Sequence, residues 1–396
     1  MMKRDNLITL IPKERKKEYK EGSLRINDFE GKKYKVQEDI KILLDSNKLE
    51  NQSLVNLNIL NIIKKSYHDL FNNVSLSNEN FLLSGHELLE YEKIESQNKK
   101  LRYLIYRYKY NVFPDKFLVT DYPPCVQIEP TSICNYRCIM CYQKDISFSK
   151  KSAGFMGNMN LDLFKKIVDE LNGKIEAITL ASRGEPTLHQ QLPEMLKYLE
   201  GKFLGLKLNT NASMLNENLS NHILSSDIQT LVFSIDAADK KNYEQIRVNG
   251  SYDKLMKNLE SFHNLKETKY PKSKIITRVS GVAINEKVNS DEMKKTWGKF
   301  AESVALVNFA PLDDTYNNPL NNIEAPCSEL WRRMFIWWDG KANPCDVDYK
   351  STLSKSNVNK DSIKNIWNSE WYNLLRLSHL KKQRSQYNPC KRCINI

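Results

Sequence analysis

Apolar positions are sparse and helically spaced in the first third of the chain, then dense and strand-like in the middle. Val55, Ile59, Ile62, Ile63 and Tyr67 recur at three- and four-residue intervals, and Phe81 to Ile94 continues in the same way, which predicts two helices. Leu101 to Tyr110 alternates aromatic rings with Arg and Lys and is read first as a strand or helix packing its rings on a neighbour. From residue 125 the pattern becomes regular. Cys125-Val126-Gln127-Ile128-Glu129 alternates as a short strand. A helix at 161–171 follows, with Asn160 as its N-cap and Gly173 beyond its end. Further strands fall at 175–180, 204–208, 230–235, 275–282 and 304–309. Helices lie between them: one through Leu192, Met195, Leu196 and Leu199, one near 214–224, two starting at Asp239 and Ser251, and one carrying Met293, Trp297 and Phe300.

Six strand–helix alternations predict a parallel sheet with right-handed crossovers. The expected fold class is α/β, a partial (β/α)6 TIM-like barrel with a mainly helical N-terminal region and a small cysteine-rich C-terminal domain. The expected boundaries are 1–118, 119–318 and 319–396, with Pro114, Pro123 and Pro124 marking the first join. In such barrels chemistry sits at the C-terminal ends of the strands.

Composition adds little to that frame, but charge adds something. At 396 residues, 40% hydrophobic and 27% charged, the chain reads as globular. No run reaches the roughly 18 apolar residues of a membrane span. Leu7 to Ile11 is too short for a signal-peptide core, so a cytoplasmic location is expected. Residues 1–120 carry 22 basic against 17 acidic side chains, residues 121–326 carry 25 of each, and residues 327–396 carry 13 against 6. The C-terminal excess is read first as compensation for an internal anion. An anionic substrate and nucleic acid are the other readings.

The eight cysteines are grouped, which inside a cell points to metal binding rather than disulfides. Cys134, Cys138 and Cys141 stand at C-x3-C-x2-C directly after the first strand. They supply three thiolates, one fewer than a four-iron cluster uses, and leave an open position where a ligand can bind. A zinc knuckle, or chance spacing, is the plainer reading. Cys327, Cys345, Cys390 and Cys393 form a four-ligand set, and Phe335 to Cys345 reads as a hairpin turning at Asp339-Gly340. Four cysteines also close a structural zinc site. Cys125 is left over, an inert thiol in an apolar strand.

The other strand ends are polar. Ser182-Arg183-Gly184-Glu185-Pro186 follows the second, Thr210-Asn211 the third, and Ser234 and Asp236 the fourth. Arg247 follows one helix later, and Arg278 lies in the fifth strand. Singly these are turn residues, caps or salt bridges. Together with the cysteine loop they resemble the radical S-adenosylmethionine (radical SAM) superfamily over about residues 122–393. The resemblance implies that Cys134, Cys138 and Cys141 hold a [4Fe–4S] cluster whose open iron binds the amino and carboxylate groups of SAM. It places Gly184, Glu185 and Pro186 at the methionine amino group and Ser234 and Arg247 at the carboxylate. Asp236, Thr210 and Asn211 fall where ribose and methionine contacts occur. Arg278 is a candidate substrate anchor, with a structural salt bridge as the equal alternative. The chain departs from the family pattern at Met140, where an aromatic residue is usual before the third cysteine.

The C-terminal set resembles the SPASM/Twitch extension, in its shorter single-cluster form, and implies a second, auxiliary [4Fe–4S] cluster. The implied chemistry is reductive cleavage of SAM to a 5′-deoxyadenosyl radical that abstracts a substrate hydrogen. The first expected substrate is a carbohydrate- or cyclitol-like small molecule, oxidised or epimerised by a radical SAM oxidoreductase. A peptide-modifying enzyme is the alternative, and an RNA-modifying enzyme a third reading. The expected partners are that substrate and an electron donor such as flavodoxin or ferredoxin. Neither a membrane nor nucleic acid is expected.

Overall fold

The computed structural model describes residues 23–24, 29–46, 53–284, 289–309, 312 and 314–395. The stretch Leu7 to Ile11 lies outside them. Residues Ser23–Leu24 form a two-residue strand, β1. The N-terminal region is helical: α1 Phe29–Ser46, α2 Leu54–Phe71, α3 Gly85–Glu92 and α4 Gln97–Val112. The helix expected over 81–94 is shorter than its pattern. Phe81 and Leu83 lie ahead of it and donate their amides to the hydroxyls of Ser66 and Tyr67, and Glu87 accepts from the Ser84 amide to start α3.

Six parallel strands follow: β2 Cys125–Ile128, β3 Ala177–Leu180, β4 Gly205–Thr210, β5 Thr230–Ser234, β6 Ile276–Ala283 and β7 Ser303–Asn308. Between them lie α5 Leu161–Leu171, α6 Leu192–Tyr198, α7 Glu217–Leu224, α8 Lys240–Ile246, α9 Tyr252–Thr268 and α10 Ser290–Trp297. The strands pair in chain order from β2 to β7 without reversal. That order curls a sheet toward a barrel, whereas a doubly wound sheet reverses its order at a switch point. Alternate strand residues, Ile178, Leu180, Leu206, Leu208, Leu231, Phe233 and Val279, share one apolar core with the crossover helices. The intervening residues face the lumen.

The helical region closes the bottom of that lumen. Its core cluster takes in Cys125 and Ala177, at the entries of β2 and β3. Tyr103, Tyr106 and Tyr110 follow one face of α4, and Gly205 leaves room for the Tyr106 ring, which a Cβ there would approach to 3.2 Å. Arg102 forks onto Glu176 at 2.8 and 2.7 Å, and Glu90 accepts from the Thr230 hydroxyl at 2.8 Å. Tyr103, Tyr106 and Tyr108 are buried. The aromatic and basic stretch Leu101 to Tyr110 is therefore a helix consumed in packing, and these three rings are not free to stack on bases.

The C-terminal region departs from the sequence expectation in one respect. The hairpin is present, as β8 Arg333–Ile336 and β9 Lys341–Asn343, with Gly340 at φ +83° in its turn. A short β10, Ser356–Asn357, extends it. However, β8 also pairs in parallel with β2, Cys125 opposite Arg333 and Ile128 opposite Ile336. The strand that launches the cysteine loop is thus flanked by β3 and by a strand of the C-terminal region. At the far edge β1 covers β7. No helix among the described residues is long and apolar enough to cross a membrane.

Candidate active site

The loop after β2 is held by backbone hydrogen bonds from two directions. Arg137 N donates to Val248 O at 2.9 Å and Ile139 N to Ile246 O at 3.0 Å, which tie the loop to the end of α8. Glu185 N donates to Ile133 O at 2.9 Å from the β3 side. Gly184 is required there, because a Cβ would lie 2.2 Å from Thr131 O and 2.6 Å from Ile133 O. The backbone this glycine approaches is the entry to the cysteine loop. Gly184→Ala is expected to destabilise the protein by about 1–3 kcal/mol and to weaken SAM binding. Melting curves and SAM titration check this, and an unchanged value of both would show that the loop can give way.

Cys134, Cys138 and Cys141 line one cavity of about 240 Å³ together with Gly184, Glu185, Pro186, Thr210, Asn211, Ser234 and Arg247. Most of the predicted site residues are therefore brought to one place. Burial pushes the Cys134 thiol up to about 12, with Glu185 adding to it, and pushes Cys141 up to about 12 as well. Cys138 is also raised by burial, but the Arg247 guanidinium opposes the shift and donates to its sulfur at 3.7 Å. Metal binding would release these protons. Among the described residues no three His, Cys, Asp or Glu side chains are set to hold a single metal ion. The fit to a cluster rests on the donor set: three sulfurs in one cavity wall and no fourth cysteine beside them.

Glu185 is buried and already engaged. Its Oε1 accepts from Thr187 N at 3.1 Å, Thr187 Oγ1 at 2.5 Å and Thr210 Oγ1 at 2.7 Å, and its Oε2 accepts from Asn211 N at 2.6 Å. Burial raises its pKa against these bonds. One acceptor position on Oε2 remains for an incoming amine. Asn211 continues the chain by donating to Asn135 Oδ1 at 3.0 Å. Two non-glycine residues of these loops have positive φ, Ser182 at +148° and Ala212 at +61°.

Two predicted site residues stand elsewhere. Asp236 is fully buried and is not part of the cavity wall. It pairs with Arg247 Nε and accepts from Val282 N at 2.8 Å, which positions Arg247. Burial works against the charge of Arg247, but Asp236 and Cys138 more than offset it and its pKa is raised. Arg278 is also absent from the cavity wall. It lies in the lumen, where it faces Lys207 of β4 and His86 of α3.

Other residues of the site were not foreseen. Tyr142, Gln143 and Leu312 line the cavity. Arg183, beside Gly184, forms a buried fork on Glu129, with Nε to Oε2 at 2.7 Å and Nη2 to Oε1 at 2.5 Å. Its Nη1 donates to Tyr349 O at 2.8 Å, and its guanidinium lies 4.2 Å from the Trp337 ring centroid. This one side chain joins the end of β2, the loop after β3 and the C-terminal region. The β2 alternation, in which Glu129 shares a face with Cys125 and Gln127, was the signal available.

Cys327, Cys345, Cys390 and Cys393 act on one another electrostatically, and burial raises all four. Arg384 is buried among them. It donates to Ala325 O and Asn395 O at 3.0 Å, to Cys390 O at 3.2 Å and to Cys393 O at 2.9 Å. It lowers the pKa of Cys327, Cys390 and Cys393. One cation of the C-terminal excess thus stands against these thiols.

Mycofactocin maturase MftC of Mycolicibacterium smegmatis is 27% identical over 158 residues, a match covering 40% of this chain but only 39% of that protein. BtrN in complex with AdoMet and 2-DOIA aligns over 70% of this chain and 95% of that one, at 15% identity and a TM-score of 0.48. SuiB of Streptococcus suis bound to precursor peptide SuiA aligns over 86% and 83%, at 14% identity and a TM-score of 0.46. Residues 128–276 match the family model of the radical SAM superfamily, and residues 327–394 match that of an iron–sulfur cluster-binding domain, SPASM. The two matches cover both cysteine sets: the chain carries a radical SAM domain and a C-terminal SPASM-type iron–sulfur domain, which together imply SAM and two [4Fe–4S] clusters as cofactors.

Proposed function

We propose that this protein is a radical SAM enzyme that modifies a peptide, using the cavity at the C-terminal ends of β2 to β5. The observation that carries the enzymatic reading is the convergence of three cysteines with Glu185, Asn211, Ser234 and Arg247 on that one cavity. When bound there, the cluster supplies the electron for cleaving the SAM sulfonium, the source of the 5′-deoxyadenosyl radical. The protein's part is positioning. Glu185 offers Oε2 to the SAM amine. Arg247, held by Asp236, is the charge for the SAM carboxylate and stabilises the Cys138 thiolate. Ser234, Thr210 and Asn211 supply hydroxyl and amide groups for the remaining contacts. Met140, Ala181 and Leu312 give the cavity apolar wall and limit water.

A peptide substrate is favoured by the relatives. The Mycolicibacterium relative is named a maturase. The carbohydrate or cyclitol substrate expected first draws no support from it. Whether the reaction is an oxidation is part of the same proposal and is read from the product. The test is anaerobic: purified protein, reduced with dithionite and given SAM, is expected to form 5′-deoxyadenosine. A candidate precursor encoded beside the gene should then change mass and raise that yield. No 5′-deoxyadenosine would sink the enzymatic reading, and a yield raised by a sugar but by no peptide would sink the peptide reading.

A further inference from the structure

We propose that the barrel lumen below the three-cysteine cavity is a seat for a carboxylate of the substrate, with Lys207 as its central cation. The proposal rests on the reading above that the barrel takes an organic substrate, and it adds the charge that substrate must carry.

The register fixes the place. Lys207 lies opposite Thr179 on β3 and Thr230 on β5, and the next lumen-facing residue of its own strand is Asn209. Asn209 lines the cavity, and its Oδ1 has no hydrogen-bond partner among the described residues. Two residues along one strand are about 6–7 Å, so Lys207 stands one layer beneath the cavity floor. Its neighbours Leu206 and Leu208 are buried in the core under the helices, which turns Lys207 inward. Even so, Lys207 keeps partial accessibility, unlike those leucines. An inward side chain with accessible surface faces a hollow.

The two groups that act on it most strongly are cations. Lys207 faces Arg278 of β6, Arg333 of β8, Glu90 of α3 and Cys125 of β2, with His86 of α3 close by. Glu90 is committed to His86, Tyr103 and Thr230 at 3.2, 2.5 and 2.8 Å. Arg333 is committed to Glu329 at 2.9 Å and to the Tyr110 hydroxyl at 2.7 Å. Lys207 has no hydrogen bond or salt bridge among the described residues. Burial, with Arg278 and Arg333 adding to it, pulls its pKa down to about 8. A carboxylate arriving from the cavity would relieve that repulsion and hold the lysine protonated. In a peptide such a group is an acidic side chain or the C-terminus.

The test uses the full, cluster-loaded protein with SAM and three capped probes. These are Ac-Ala-Glu-Ala-NH2, Ac-Ala-Ala-Ala with a free C-terminus, and the neutral Ac-Ala-Gln-Ala-NH2. At pH 7 at least one acidic probe is expected to bind ten or more times tighter than the neutral one, and which one identifies the source of the carboxylate. The preference should be complete below pH 8 and decline above it by about tenfold per pH unit, with proton uptake in calorimetry. Lys207→Met should erase it and Lys207→Arg should keep it, with SAM affinity within twofold in both as the check on folding. Equal binding of all three probes, no binding at millimolar concentration, or a preference that survives in Lys207→Met would overturn the seat. SAM cleavage without any probe reports on the enzymatic reading by itself, so the two failures are distinguishable.

Discussion

Replacing Cys134, Cys138 and Cys141 together with alanine is expected to lower the iron content from about eight to about four per chain and to bring SAM cleavage down to background. The reason is that these three sulfurs share one cavity wall with the SAM-binding residues and have no substitute there. Replacing Cys327, Cys345, Cys390 and Cys393 should also leave about four irons, but with SAM cleavage retained. Anaerobic iron and zinc counts with spectroscopy separate the outcomes. About four irons with one zinc in the unaltered protein would overturn the auxiliary iron–sulfur assignment.

Arg183→Met is expected to be the most destabilising single change at the site. Glu129 is fully buried, and among the described residues its carboxylate accepts, apart from the guanidinium, from two backbone amides, Arg183 N at 3.1 Å and Trp338 N at 3.2 Å. Removing the guanidinium leaves a buried anion short of partners, at a cost of about 3–5 kcal/mol. Denaturant unfolding measures it. The double variant with Glu129→Met should recover most of that loss, because a buried ion pair and an apolar pair of similar size differ little in stability. Arg183→Lys should rescue poorly, since a point charge cannot fork onto Glu129 and reach Tyr349 O as well. If Arg183→Met melts like the unaltered protein, the join between the β3 loop and the C-terminal region is not held by this side chain.

Much of the barrel was legible because its signals are local. Asn160, Asp239 and Ser251 cap α5, α8 and α9 as their side chains predicted, and every strand from β2 to β7 falls within or close to its expected span. The cysteine loop and the Gly184-Glu185-Pro186 turn were legible because spacing carries the chemistry. What escaped was set by partners far away in sequence. Nothing near Arg333 says that its strand will pair with β2, 200 residues earlier. The Leu101 to Tyr110 pattern fitted a strand as well as a helix, and only the small residue at Gly205 explains where its rings go. Nothing near Asp236 in the sequence announces its pairing with Arg247. Lys207 carries no signal of its role in the sequence, because alternation cannot distinguish a lumen from solvent.

The parallel pairing of β8 with β2 has a consequence for synthesis. During translation β2 to β7 emerge and can curl together, while the outer edge of β2 has no partner until residue 336 has left the ribosome. A bare edge is a template for pairing with another chain, and a slowly completed parallel sheet keeps it bare for longer. At about 5–20 residues per second, that interval lasts on the order of ten to forty seconds after β2 appears. The nascent barrel is therefore at its most aggregation-prone before the last quarter of the chain arrives. Protein truncated after β7 should collect in aggregates, however complete its SAM-binding residues are.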